Sequence, residues 1–202
     1  GCISELIDRM GERRERLRGI GIGAPGLIDL NRGVISRYVH IPDWENVPLP
    51  ETVGQRFGIP TYVEHGVKCT ARALLSMPEH AGVRDMLFMQ IGRGINMCVV
   101  VDGRIVSGTS YLSGEIGHMH AEDNGVICEC GRTGCLETIA TTGAMYRDAD
   151  MGRAETPERF RVLDGLLASG ERMHMETLCR AADMGCEGSR ALLEHAGRAV
   201  GA

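Results

Sequence analysis

The spacing of apolar residues changes several times along this chain. Ile3, Leu6, Ile7, Met10 and Leu17 recur at helical intervals among charges, which predicts a helix over 3–18. Residues 19–24 read as a buried strand stopped by Pro25-Gly26. The stretch 28–41 predicts two short strands around an Asn31-Arg32-Gly33 turn. A short helix over 50–57 has Pro and Glu early and Gly58 at its end. A strand over 61–64, a helix over 67–77 and paired strands over 85–91 and 97–101 follow, and Asp102-Gly103 signals a hairpin into 104–106. Beyond residue 135 the period is helical, over 136–148, 157–168, 175–184 and 188–200. Strands first and helices later, with mixed crossings, predict an α/β architecture. A boundary near Gly82-Val83-Arg84 divides it into an N-terminal lobe, 1–84, and a C-terminal lobe, 85–202.

With 202 residues, 43% of them hydrophobic, the chain can build one large domain or two small lobes around a core. It has no apolar run long enough to span a membrane and no signal-peptide pattern. A net charge of −5 argues against a nucleic-acid surface. Arg13, Arg14, Arg16 and Arg18 alternate with Glu12 and Glu15 and are expected to form a solvated helix face. Five of the eight cysteines (Cys2, Cys69, Cys98, Cys179 and Cys186) show no disulfide-framework spacing, which suits a reducing cytoplasm.

The other three cysteines fall in the pattern His118-x9-Cys128-x-Cys130-x4-Cys135. One imidazole and three thiolates match a closed tetrahedral zinc site, structural because no position is left for water. Gly125, Gly131 and Gly134 let the chain turn tightly around an ion. His120 competes with His118 for the fourth position. Glu115 and His118 are three residues apart, so one helical turn or a tight loop puts both on one side.

Gly114-Glu115-Ile116-Gly117-His118, followed by Cys128-Glu129-Cys130-Gly131-Arg132-Thr133-Gly134-Cys135-Leu136-Glu137, resembles the ROK family of bacterial sugar kinases and sugar-responsive repressors. Gly19–Gly26, Trp44–Leu49 and Gly58–Glu64 are similar to its early strand, its tryptophan segment and the strand leading to its catalytic carboxylate. The resemblance implies an actin-like, ribonuclease-H-like fold with two lobes around a sugar cleft. It implies sugar hydroxyls bound by Glu115, His118 and Glu137, within zinc loop 114–137. Asn46 and His65 are further candidates for that cleft. One His118 nitrogen can hold zinc while the other meets the sugar. The competing reading has Glu115 and Glu137 bonding only loop backbone. A homodimer is also implied.

The kinase version of the family is poorly matched. Sugar phosphorylation needs a general base and a phosphate cradle. The family's Glu-Asn-Asp triplet corresponds to Glu64-His65-Gly66, so glycine stands at the base position; His65 is a base only if the loop shifts. Gly92-Arg93-Gly94-Ile95-Asn96 departs from Gly-Thr-Gly-x-Gly, with Arg93 and Asn96 in place of small residues. No Asp-x-Gly-Gly-Thr loop is present, and the chain stops at Gly201-Ala202, before the family's adenosine-binding turn, so the fold is expected to be incomplete at both ends. These features predict a non-catalytic, sugar-sensing effector domain of a transcriptional regulator. ATP is not an expected cofactor, a sugar or sugar phosphate is the expected ligand, and DNA is bound only through a segment outside this sequence. A sugar kinase and a scaffold that binds no sugar are the alternatives.

Overall fold

The computed structural model describes residues 1–38 and 41–202. They divide into two compact units, Gly1–Met86 with Cys98–Ser113, and Leu87–Met97 with Gly114–Ala202.

The first unit opens with α1 (Cys2–Arg9) and a 3-10 turn, Gly11–Arg16. Strand β1 (Ile20–Ala24) pairs in parallel with β5 (Thr61–His65), Ile20 opposite Thr61 and Ala24 opposite His65. Between them β2 (Leu27–Asp29), β3 (Val34–Arg37) and β4 (Glu45–Val47) form an antiparallel sheet, and α2 (Leu49–Phe57) leads back to β5. Helix α3 (Gly66–Ser76) starts directly at the end of β5. Ala24, Ile28, Ile35 and Val63 are the buried centre of this unit, flanked by Ile22, Leu30, Trp44 and Leu49.

A third sheet has the order β6-β7-β8, from β6 (Met86–Ile91), β7 (Ile95–Val101) and β8 (Arg104–Ile105). Strands β7 and β8 are antiparallel, and Asp102 and Gly103 both take positive φ, the tight hairpin that Asp-Gly favours.

The second unit is helical beyond residue 136. It contains α4 (Glu137–Ala140), α5 (Thr142–Glu155), α6 (Arg161–Ala168), α7 (Met175–Asp183) and α8 (Glu187–Gly201). Leu136, Met145, Phe160, Leu163, Leu178 and Cys186 close around Ile95 of β7 to make its core. Each helix contributes an apolar stripe, and burying those stripes together is what stabilises helices this short.

Two expectations from the sequence need correction, and one strand was not foreseen. The helix expected over 3–18 ends at Arg9, where Gly11 takes φ +52, and the following turn is 3-10 with no residue buried. Without a packed face, nothing holds the charged segment in α geometry. The helix expected over 136–148 is two helices: Thr141 is extended (ψ 157), its hydroxyl donating to Glu137 O (2.8 Å) and accepting from Ala144 N (3.1 Å). Strand β4 was not expected, because Glu45 and Asn46 show no apolar alternation; pairing with β3 holds it. Of the strand expected up to 41, Val39 and His40 lie outside the described residues. The compact units are discontinuous in sequence, with Cys98–Ser113 in the first.

Candidate metal and ligand site

The site is built around the chain that returns from the third sheet. Met97 of β7 donates to Gly114 O (2.8 Å). Gly114 has φ +96, and a Cβ there would lie 1.7 Å from Met97 O, so only glycine lets the chain pass this close. Glu115 then caps a 3-10 turn, Ile116–His118, and His118 N donates to Glu115 O (3.2 Å). The expected one-turn relation of Glu115 and His118 is therefore present.

The remaining cysteines are folded back by a small knuckle. Ile127 and Thr133 form an antiparallel bridge, Cys128 N donates to Arg132 O (2.7 Å) and Gly131 N to Cys128 O (2.8 Å). A second bridge joins His120 to Cys135, and Leu136 N donates to Met119 O (2.9 Å). Together they place the ligand atoms of His118, Cys128, Cys130 and Cys135 within 4.8 Å of one another. Cys128 Sγ is 3.5 Å from His118 Nδ1, and Cys130 Sγ is 3.6 Å from Cys135 Sγ. A tetrahedral ion with metal–sulfur bonds near 2.3 Å and metal–nitrogen bonds near 2.1 Å requires edges of about 3.8 Å and about 3.6 Å. The four groups fit such an ion. No disulfide competes, since all eight cysteines are free among the described residues.

The electrostatics are those of crowded sulfurs. The main-chain N–H of Arg132 draws the exposed Cys130 thiol down to about 6. Burial pushes the Cys135 thiol up to about 12, helped by its hydrogen bonds to the two neighbouring thiols, and burial also raises Cys128. A cation at the centre reverses this penalty, because thiolates gain from it what they lose to one another. His120 is outside the cluster: its Nε2 meets Asp123 Oδ1 at 2.9 Å on the surface.

Glu137 touches two elements. Its Oε1 accepts from Ile95 N (2.7 Å) in the Gly92–Asn96 turn, and its Oε2 is 3.8 Å from His118 Nδ1. Gly117 makes room for it, since a Cβ there would be 2.6 Å from Glu137 Cγ. One carboxylate oxygen is thus committed to backbone, though to the Gly92–Asn96 turn rather than to the zinc loop that the competing reading named, and the other faces the histidine. The same turn is closed by Gly92 N to Gly94 O (3.0 Å) and held by Thr142, whose N–H and hydroxyl both donate to Gly92 O (2.9 and 3.2 Å). Arg93 stands exposed at its tip.

Asn46, His65 and Gly66 belong to the other compact unit. Asn46 is exposed with φ +51 and accepts from Arg32 Nη1 (3.2 Å). His65 is the last residue of β5, and its N–H donates to Glu64 Oε1 (3.0 Å) while Glu64 Oε2 lies 3.9 Å from Arg72. Burial, then the charge of Lys68, holds the His65 imidazole below its ordinary value. Gly66 begins α3 and presents no side chain.

Sequence reasoning missed the groups that brace the loop. Asn124 Nδ2 donates to Thr138 Oγ1 (2.9 Å) and Asn124 Oδ1 accepts from Val126 N (3.0 Å). His195 of α8 meets Glu122 at 2.9 Å, and Arg132 Nη2 donates to His118 O (2.9 Å). Asn124 beside Gly125 was a readable turn signal; His195, 73 residues from its partner, carried none.

A mixed α/β protein with a Cys₃His cluster between a strand-rich unit and a helical tail in sequence is the class these observations define. The model of the ROK family matches residues 1–202, and the chain belongs to that family. It is 29% identical over 180 residues to the DNA-binding transcriptional repressor Mlc of Escherichia coli, covering 89% of this chain and 43% of the repressor. It is 34% identical over 149 residues to a glucokinase of Halalkalibacterium halodurans, covering 73% of this chain and 45% of the kinase. The structure of a ROK family glucokinase from Streptomyces griseus with glucose and AMPPNP superimposes with a TM-score of 0.78 at 28% identity, over 91% of this chain and 59% of the other. The fold is thus the actin-like ATPase fold of ROK kinases and repressors. The chain spans less than half the length of these two curated relatives. No helix among the described residues is long and apolar enough to cross a membrane.

Proposed function

We propose that this chain is the sugar-sensing part of a ROK-family transcriptional regulator and does not transfer phosphate. The observation that carries this reading is the junction of β5 and α3. Its carboxylate, Glu64, is engaged by its own neighbour's N–H and by Arg72; its imidazole, His65, is a weakened base; and Gly66 has nothing to accept a proton. Arg93 and Asn96 in the Gly92–Asn96 turn agree, since neither invites the close backbone approach that phosphates need.

In this reading the Cys₃His cluster holds a structural zinc ion. His118 is fixed by the metal and turns its free nitrogen to the ligand, with Glu115 and the Oε2 side of Glu137 accepting hydroxyl protons. Asn46 and His65 are proposed as further sugar-binding residues. The effector is a hexose, an amino sugar or a phosphate of either, in a cytoplasmic, homodimeric protein whose DNA contact lies outside these residues. The division into lobes 1–84 and 85–202 is part of the same proposal.

Calorimetric titration of the zinc-loaded protein with ATP·Mg²⁺, then with hexoses and amino sugars, tests the reading. Heat from a sugar and none from ATP supports a sensor. ATP binding would instead favour the kinase, and silence toward every sugar a scaffold. A variant sharpens the test. A Cβ at Gly66 meets nothing nearer than Ala24 O at 3.9 Å, so Gly66→Asp is accommodated. It is expected to show no ATP-dependent phosphorylation of any sugar that the protein binds, in a coupled assay. Sustained turnover would mean that the phosphate turn is competent and the sensor reading wrong.

A further inference from the structure

The metal cluster has one weak side. Cys128 and Cys135 are buried and His118 is half-buried, but Cys130 is exposed. An exposed sulfur must be held in place by something other than packing. Three thiolates and a neutral imidazole around a divalent ion also leave one net negative charge at the surface.

Arg132 lies where both needs arise. Its main-chain N–H and its guanidinium both favour the thiolate of Cys130. The guanidinium also donates through Nη2 to His118 O at 2.9 Å. Its carbonyl accepts from Cys128 N at 2.7 Å, closing the knuckle. One residue therefore touches three of the four ligand residues, which come from the two ends of a loop 118–130. The planar fork of arginine suits this, because it spans a sulfur and a carbonyl at once, which a single ammonium donor does less well.

We propose that Arg132 is a positioning residue for the metal cluster: it clasps Cys130 to the His118 main chain and offsets the cluster's negative charge. The proposal rests on the reading that the cluster binds metal. Its side chain is exposed, so replacing it removes no packing and leaves the fold intact.

Cobalt titration tests it, followed by the thiolate-to-cobalt absorption band, with zinc competition for affinity. Arg132→Gln is expected to bind Co²⁺ about tenfold more weakly than wild type, the lower end of what outer partners of metal ligands contribute. Arg132→Lys is expected to recover part of that loss, and the gap between glutamine and wild type to narrow at about 1 M salt, where exposed charges are screened. Thermal melting of the metal-free proteins should be indistinguishable among all three. An Arg132→Gln affinity within twofold of wild type would overturn the proposal. So would a lysine variant as weak as the glutamine variant at low salt, because charge would then play no part. A wild type without a charge-transfer band overturns the metal reading itself, and the role of the arginine with it.

Discussion

Cys135→Ser is expected to abolish metal binding, taking zinc content from one equivalent to none by elemental analysis. Cys135 is 1% exposed and its sulfur sits 3.6 Å from that of Cys130, so water has no open path to take its place. The substitution changes little in volume, and the loss therefore reports on the metal rather than on a cavity. A protein kept at free zinc near a thousand times its Kd gains about 4 kcal/mol from the ion. For a chain of this size that corresponds to roughly 8–16 °C in melting temperature. Chelation of the wild type should reproduce the shift, and chelation of the variant should do nothing further. Retention of one equivalent by Cys135→Ser would show that the ligand set is wrong.

Gly114→Ala should be more damaging still, although it adds one methyl group. The new Cβ would lie 1.7 Å from Met97 O and 2.8 Å from Met97 C, both backbone atoms that cannot rotate away. Relief requires breaking the hydrogen bond from Met97 N to Gly114 O, which fastens the start of the Glu115–His118 turn to β7. A φ of +96 adds strain of its own. A loss above about 4 kcal/mol is expected, enough to leave little folded protein at 37 °C. Gly125→Ala provides the comparison: φ is +70 there too, but nothing lies within 4 Å of the added carbon, so only the left-handed penalty of about 1–2 kcal/mol applies. Urea unfolding of the two variants should separate them widely, and equal midpoints would mean that the close passage at Gly114 relaxes cheaply.

The Cys/His pattern was legible because ligand chemistry is written in side-chain type and spacing, and His118 and Cys135 need only a short loop to meet. The helical tail was legible for the same local reason, since each of its stripes has the right period. The break at Thr141 was hidden because threonine inside an apolar run looks like a tolerated helix residue, and only its hydrogen bonds to Glu137 and Ala144 reveal a cap. Strand β4 was hidden because its order comes from a partner strand rather than from its own residues. The second attachment of Glu137, to Ile95 N across 42 residues, was hidden because nothing in the sequence around Glu137 announces a partner so distant. Family resemblance named Glu137 as a ligand group, and the structure adds that half of its carboxylate is already occupied.

The discontinuous partition of the chain has a topological consequence. The backbone passes from one compact unit to the other after Met86, after Met97 and after Ser113. A protease that cuts at any one of these crossings leaves two intact covalent links, so limited digestion should give nicked protein that still migrates as one species until denatured. Neither unit can be expressed as a single uninterrupted stretch, and a chain released from the ribosome cannot finish the first unit until the segment 87–97 has already emerged. The two units are bound to be made together.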